Sequence, residues 1–147
     1  MKKIIAFGLA ICIATGLQAQ KSTDVKTADV PEAVRTAFQK QYPDAAGADW
    51  EMKEGKYKVE FRQSGTKHMA GFDNTGTLVS HGMEIKVADV PAAVSEAIMK
   101  DHPGSKIDDA YRVEKDGKTM YKLELDGKPD KKVIYTADGV MVKERKD

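Results

Sequence analysis

Lys26-Thr27-Ala28-Asp29-Val30-Pro31-Glu32-Ala33-Val34 and Lys86-Val87-Ala88-Asp89-Val90-Pro91-Ala92-Ala93-Val94 are one stretch written twice, 60 residues apart. The match runs on through Ala37 and Ala97, Lys40 and Lys100, Pro43 and Pro103. A fixed internal offset is the signature of a chain built from similar units. One unit of this size has a thin core, and two side by side bury a larger share of their surface.

Each copy opens with a helical period. Val30, Ala33, Val34, Ala37 and Phe38 fall at i, i+3, i+4, i+7 and i+8, and Val90, Ala93, Val94, Ala97 and Ile98 repeat them. Asp29 and Asp89 read as N-caps, with Glu32 closing a capping box in the first copy, and Pro31 and Pro91 sit in the first turn. The helices are expected to stop at Tyr42 and His102, because the proline that follows each disfavours helical geometry. Gln20 to Lys26, ahead of the first helix, is polar and reads as a frayed leader.

After each helix the period drops to two. Trp50 and Met52 alternate with Glu51 and Lys53. Tyr57, Val59 and Phe61 alternate with Lys58 and Glu60. In the second copy Tyr111 and Val113 precede Asp116-Gly117, and Tyr121, Leu123 and Leu125 alternate with Lys122 and Glu124. Half-buried antiparallel strands have this pattern. Seven residues separate Val113 from Tyr121 and four separate Met52 from Tyr57, so the second loop is expected to be longer. Two further hairpins turn at Asp73-Asn74-Thr75-Gly76 and Thr136-Ala137-Asp138-Gly139. The expectation is an α+β fold of two tandem repeats, residues 20–85 and 86–147. Each repeat is one helix followed by a four-stranded antiparallel sheet, and the two sheets join into one curved sheet with the helices on one face.

Residues 1–19 read as a signal peptide. Lys2 and Lys3 precede an apolar run from Ile4 to Leu17, and Ala19 is a small residue suited to cleavage. A lipoprotein reading on Cys12 fails, because Ile11 is bulky and the apolar run continues past the cysteine. Of 147 residues, 128 then remain, with 22 basic against 23 acidic side chains and no cysteine. That near-neutral, interspersed balance has no footprint for nucleic acid. Nothing in the mature chain inserts into a membrane, and the address is periplasmic or secreted.

The chain carries no phosphate loop, zincin motif or nucleophile elbow. No catalytic residue and no cofactor are expected. The turn Asp73–Gly76 lacks the ligand spacing of a calcium loop. The strand faces opposite the apolar residues carry Glu51, Lys53, Lys58, Glu60 and Arg62, then Arg112, Glu114, Lys122 and Glu124. Lys58, Glu60, Arg62, Lys122 and Glu124 are the candidate binding residues, forming a polar face for another exported protein or peptide. Trp50, Tyr57, Phe61 and Phe72 read as helix-covered core. The alternative function is copper binding by His68 and His81 with nearby Met69 and Met83. A tight turn pairing Phe72 with Thr77 sets the two histidines opposite each other, whereas a one-residue bulge is expected to part them. Their second-copy counterparts are Lys131 and Glu144, so an exposed sheet end is the reading preferred and no metal site is assigned. His102, in the slot of Tyr42, reads as packing or capping.

The duplicated DVPxAV helix start, the YKVEF and YKLEL strands and the FDNTGTLV and YTADGVMV hairpins resemble the exported PepSY-like proteins, which are themselves similar to β-lactamase-inhibitor proteins. The resemblance covers the whole mature chain and implies a tandem of helix-plus-four-strand units forming one curved sheet. In the β-lactamase inhibitors the concave face of that sheet holds the enzyme. Those inhibitors are disulfide-bonded and this mature chain has no cysteine, so neither lactamase inhibition nor any contact residue carries over.

Cleavage after Ala19 predicts a mature protein beginning at Gln20. N-terminal sequencing of protein exported with its own leader checks this; a lipidated Cys12 terminus would refute it.

Overall fold

Ten residues of isolated helix are unstable in water, so both helices of this chain exist by packing on strands. The structure is a computed structural model that describes residues 22–146. The signal peptide expected at residues 1–19 lies outside the described residues. In order, the elements are β1 (Thr23–Val25), α1 (Glu32–Gln41), β2 (Ala46–Lys53), β3 (Lys56–Gln63), β4 (Thr66–Phe72) and β5 (Leu78–Ile85). These are followed by α2 (Ala92–Asp101), β6 (Ile107–Lys115), β7 (Lys118–Leu125), β8 (Lys131–Thr136) and β9 (Met141–Lys146). No helix among the described residues is long and apolar enough to cross a membrane.

The expected α+β arrangement, two helix-plus-four-strand repeats, is overturned. Among the described residues the strands form one nine-stranded antiparallel sheet in the order β1 to β9, and with two short α-helices the described fold is mostly sheet. Two facts cause the difference. The polar stretch before the first helix is not frayed: Thr23, Asp24 and Val25 pair with Met52, Glu51 and Trp50 and add a strand. At the other end of the first segment there is no boundary between two four-stranded units, because β5 pairs directly with the next strand. Its edge is taken by β6 from Ser80↔Lys115 to Ile85↔Ala110. An unpaired β5 edge would leave a row of backbone donors and acceptors without partners.

The helix starts also differ from expectation. Asp29 and Asp89 end short 3₁₀ turns (Thr27–Asp29 and Val87–Asp89), and neither caps a helix. Pro31 and Pro91 take the cap positions with extended ψ and no side-chain cap. Their carbonyls accept from Val34 and Arg35, and from Val94 and Ser95, at 3.0 Å each. The proline-restricted φ directs the chain into the helix, so no capping box forms. Tyr42 and His102 end the helices as expected, each N–H donating back four residues, to Phe38 and Ile98, at 2.8 Å. The longer second loop does not form. Both β2–β3 and β6–β7 turn on two residues, Glu54-Gly55 and Asp116-Gly117, all four at positive φ. That is the turn whose twist matches the strands it joins.

Both helices lie on the same sheet face. Val30, Val34 and Phe38 bury against Trp50, Val59, Phe61, Ala70 and Phe72. Val90, Val94 and Ile98 bury against Ala110, Leu123, Leu125, Val133 and Tyr135. The first core is aromatic: Phe38 meets Trp50 and Phe61 edge-on at 5.2 and 5.1 Å between centroids. The second is aliphatic, and its large ring, Tyr135, donates its hydroxyl to Asp101 at 3.0 Å. Gly76 and Gly139, both at positive φ, bring the β4–β5 and β8–β9 turns against the backbone of Ala33 and Ala93. Any Cβ there would press on the helix.

Val34 and Val94 are fully buried mid-stripe. Val34→Asp and Val94→Asp are each predicted to cost at least about 3 kcal/mol, because an unpaired charge enters the core. Urea denaturation midpoints check this, and an unchanged midpoint would contradict the helix packing described.

Candidate functional site

Alternation along the strands sorts the candidate residues between the two faces. Trp50, Val59 and Ala70 point under α1. Their neighbours Glu51, Lys58 and Gly71 therefore point the other way, as do Glu60 and Met69, Arg62 and Lys67. On the far half, Ala110 and Leu123 point under α2, so Tyr111 and Lys122, Asp109 and Glu124 share the opposite face. All five candidates, Lys58, Glu60, Arg62, Lys122 and Glu124, thus lie on the face that neither helix covers. They come from β3 and β7, with three strands between, a span of roughly 19 Å in a flat sheet.

Tyr111 is 3 % exposed on a face with no second layer. The ammonium groups of Lys67 and Lys122 stand 5.9 and 5.3 Å from its ring centroid, one from each side. Burial pushes the Tyr111 hydroxyl up, against the opposing pull of Lys67. Partial burial holds Lys58 below the ordinary lysine range. Glu51 and Glu54 oppose that shift, while Lys53 and Lys122 add to it. Lys67 on β4 and Lys122 on β7 both reach the one ring on β6, so the side chains of this face lean together over Tyr111. Gly82 leaves room beneath Met69: a Cβ there would meet Met69 Cγ at 2.7 Å and Val113 Cγ2 at 3.3 Å. Two exposed ion pairs edge the face, Lys58–Glu51 at 4.0 Å and Lys67–Glu60 at 3.4 Å.

Tyr111 and Lys67 are the residues that sequence reasoning missed here. Tyr111 was assigned to the covered side because it is apolar, which put Arg112 and Glu114 outward. The structure reverses both. Arg112 lies opposite Met83 and Tyr121 on the helix side, where it pairs with Glu114 at 2.9 Å. The 60-residue offset held the signal, since it sets Ala110 against Trp50 and Tyr111 against Glu51.

The second cluster lies on the helix side, at the end of α1. A register shift between Gly71 and Phe72 places His68 opposite Met83 and His81 opposite Ala70. The bulge therefore forms, but it does not part the histidines. They become diagonal neighbours on one face, a separation that long and ring-bearing side chains bridge. His68 Nδ1 and His81 Nε2 are 3.1 Å apart, sharing one hydrogen bond. Phe61 lies parallel to His68 at 5.4 Å between centroids and Tyr42 parallel to His81 at 5.6 Å. Burial pushes both imidazoles below their ordinary range; for His81, His68 adds to this and Glu114 opposes it. The same diagonal slot beside α2 holds Lys131 and Glu144, an ion pair at 3.5 Å. Over it sits His102, 5 % exposed, its Nδ1 3.5 Å from Lys131 Nζ. His102 packs in the slot of Tyr42.

Because folding lowers the affinity of His68 and His81 for protons, the unfolded chain protonates first as pH falls. Their contribution to stability is present above about pH 6.5 and is lost as pH drops through the folded-state values. In chelator-treated buffer, urea midpoints of the wild type are predicted to fall between pH 7.5 and pH 5 by more than those of His68→Gln, His81→Gln. Equal slopes would refute the assignment.

Comparison with known proteins sets this geometry in context. A family model described as "Putative beta-lactamase-inhibitor-like, PepSY-like" matches residues 17–80 and 55–143. No curated protein matches the chain. Among solved structures, a DUF2874 family protein from Bacteroides uniformis is similar at 22 % identity and TM-score 0.67, covering 79 % of this chain and 88 % of that one. One of the "putative periplasmic proteins" from Bacteroides eggerthii is similar at 20 % identity and TM-score 0.69, covering 80 % and 88 %. A BLIP-like protein from Bacteroides fragilis is similar at 21 % identity and TM-score 0.60, covering 79 % and 86 %. At these identities the likeness is one of fold.

Proposed function

Since this chain belongs to the PepSY-like, β-lactamase-inhibitor-like family, we propose that it is a non-enzymatic exported binding module that recognises another exported protein or peptide through its uncovered sheet face. The carrying observation is Tyr111. The ring is 3 % exposed on a face without a covering layer, and it holds the ammonium groups of Lys67 and Lys122 at fixed places on the surface that a partner would meet. Charge held in place at a surface selects among partners more than it adds affinity. Lys67 and Lys122 reach over that ring, and Lys58 lies on the same face. Glu51 and Glu60 engage Lys58 and Lys67, and like-charge repulsion between Lys58 and Lys122 remains. A partner offering a carboxylate over Tyr111 relieves it. The periplasmic description of a relative with the same fold agrees with an exported address.

Photo-crosslinking in the exporting cell tests this reading. A photoreactive side chain at position 60 or 124 is expected to give a discrete protein or peptide adduct, and the same group at Lys100 on the helix side is not. Lys58→Glu with Lys122→Glu is expected to cut the adduct at least tenfold. Adducts from position 100 alone, or none from either sheet position, would overturn it.

A further inference from the structure

Nothing in the core requires the histidine pair. The equivalent slot beside α2 is filled by a lysine and a glutamate, which place opposite charges where His68 and His81 place two lone-pair-bearing nitrogens. A feature that the fold does not need, in one half only, is a candidate for chemistry.

Its geometry is specific. The facing nitrogens are 3.1 Å apart, the ring centroids 5.4 Å apart and the planes within 27° of each other. Centroids so much farther apart than the nitrogens mean rings meeting end to end, with Nδ1 of His68 and Nε2 of His81 aimed at one point. Phe61 and Tyr42 each lie parallel to one of the rings and hold the pair in that alignment. Met83 is the cross-strand partner of His68 on the same face and is 36 % exposed, so a thioether is within the same neighbourhood. A shallow depression lined by Leu78, His81, Glu114 and Thr119 opens beside the pair and gives access from water.

We propose that His68 and His81 form a binding site for a single monovalent copper ion, held between His68 Nδ1 and His81 Nε2. Two imidazole lone pairs on one line match the linear two-coordinate preference of copper(I), and a nearby thioether favours the same soft ion. Metal–imidazole bonds of about 2 Å span roughly 4 Å across a linear ion. The pair therefore opens by about 1 Å, by side-chain movement at a partly exposed sheet end. No covalent or redox step is involved. The ring that donates the shared hydrogen bond passes to its other tautomer, losing the proton on the facing nitrogen to water and gaining one on the outer nitrogen, so the net charge of the pair is unchanged. Among the described residues no cluster of three or more His, Cys, Asp or Glu exists. Any third ligand is therefore Met83 or water, and divalent zinc, which takes four nitrogen, sulfur or oxygen ligands, is served less well.

The test uses the mature chain under anaerobic, reducing conditions. Titration with copper(I) against a chromophoric chelator is expected to show one equivalent bound, weakened at least tenfold by His68→Gln or His81→Gln and severalfold by Met83→Leu. Silver(I), a redox-silent stand-in, is expected to shift the ¹⁵N resonances of His68 Nδ1 and His81 Nε2 in the wild type; this arm holds even if a variant is poorly folded. Equal copper affinity in the wild type and His68→Gln, His81→Gln, or silver shifts confined to other groups, would overturn the site. Zinc binding tighter than copper(I) at the same residues would overturn the choice of ion. Either failure leaves recognition through Tyr111 on the opposite face untouched.

Discussion

Nine strands present two faces, and two ten-residue helices cover only one of them. The rest of the molecule answers to that shortage. Under the helices the cores are ordinary: valines and a single large residue from each helix stand on apolar strand residues that alternate with charge. On the uncovered face the same alternation would leave a wide polar plane. Instead, the lysines lean over Tyr111 and Met69 lies over Gly82. Long amphipathic side chains can do this because their methylenes cover apolar surface while the charge stays in water. The result is a face that is polar at its surface and packed around one ring.

The two ends of the helix layer show one backbone solution filled in two ways. Beside α1 the diagonal slot holds two imidazoles bracketed by Phe61 and Tyr42. Beside α2 it holds Lys131 and Glu144 under a buried His102. Both satisfy the same need, two polar groups that pair at a half-buried sheet end where a lone charge would be costly. They differ in what else they can do: an ion pair neutralises itself, whereas an imidazole pair keeps lone pairs available to protons and metals. The fold thus tolerates different chemistry at equivalent points.

The edges of the sheet follow from the same economy of covering layers. β1 is three residues long, and β9 ends in Lys143, Glu144, Arg145 and Lys146. A short edge and a charged edge both discourage pairing with another chain.

Much of this was legible in the residues. The 60-residue offset, the apolar stripes of both helices, their stops before Pro43 and Pro103, and the alternation that sets Lys58, Glu60, Arg62, Lys122 and Glu124 on one side are all local patterns, because period and backbone restriction are properties of neighbouring residues. The sequence by itself determined which segments are amphipathic and with what period. Only the tertiary structure decided how they join. Whether β5 ends one sheet or continues into β6 depends on edge-to-edge pairing between distant strands, and neither strand's own pattern encodes it. The start of the α1 helix was misread at Asp29 because a side chain able to cap is visible in sequence, while the turn that moves it out of position is not. Tyr111 faces the other side, although an apolar residue is presumed to face the covered one, and lysines from distant strands lie over it there. The histidines were expected to separate on a bulge. They remained together because the register moves by two residues, one in the turn that pairs Phe72 with Leu78 and one at the bulge, which converts an opposite pair into a diagonal one on the same face, and the reach of two rings across that diagonal is a fact of three-dimensional geometry.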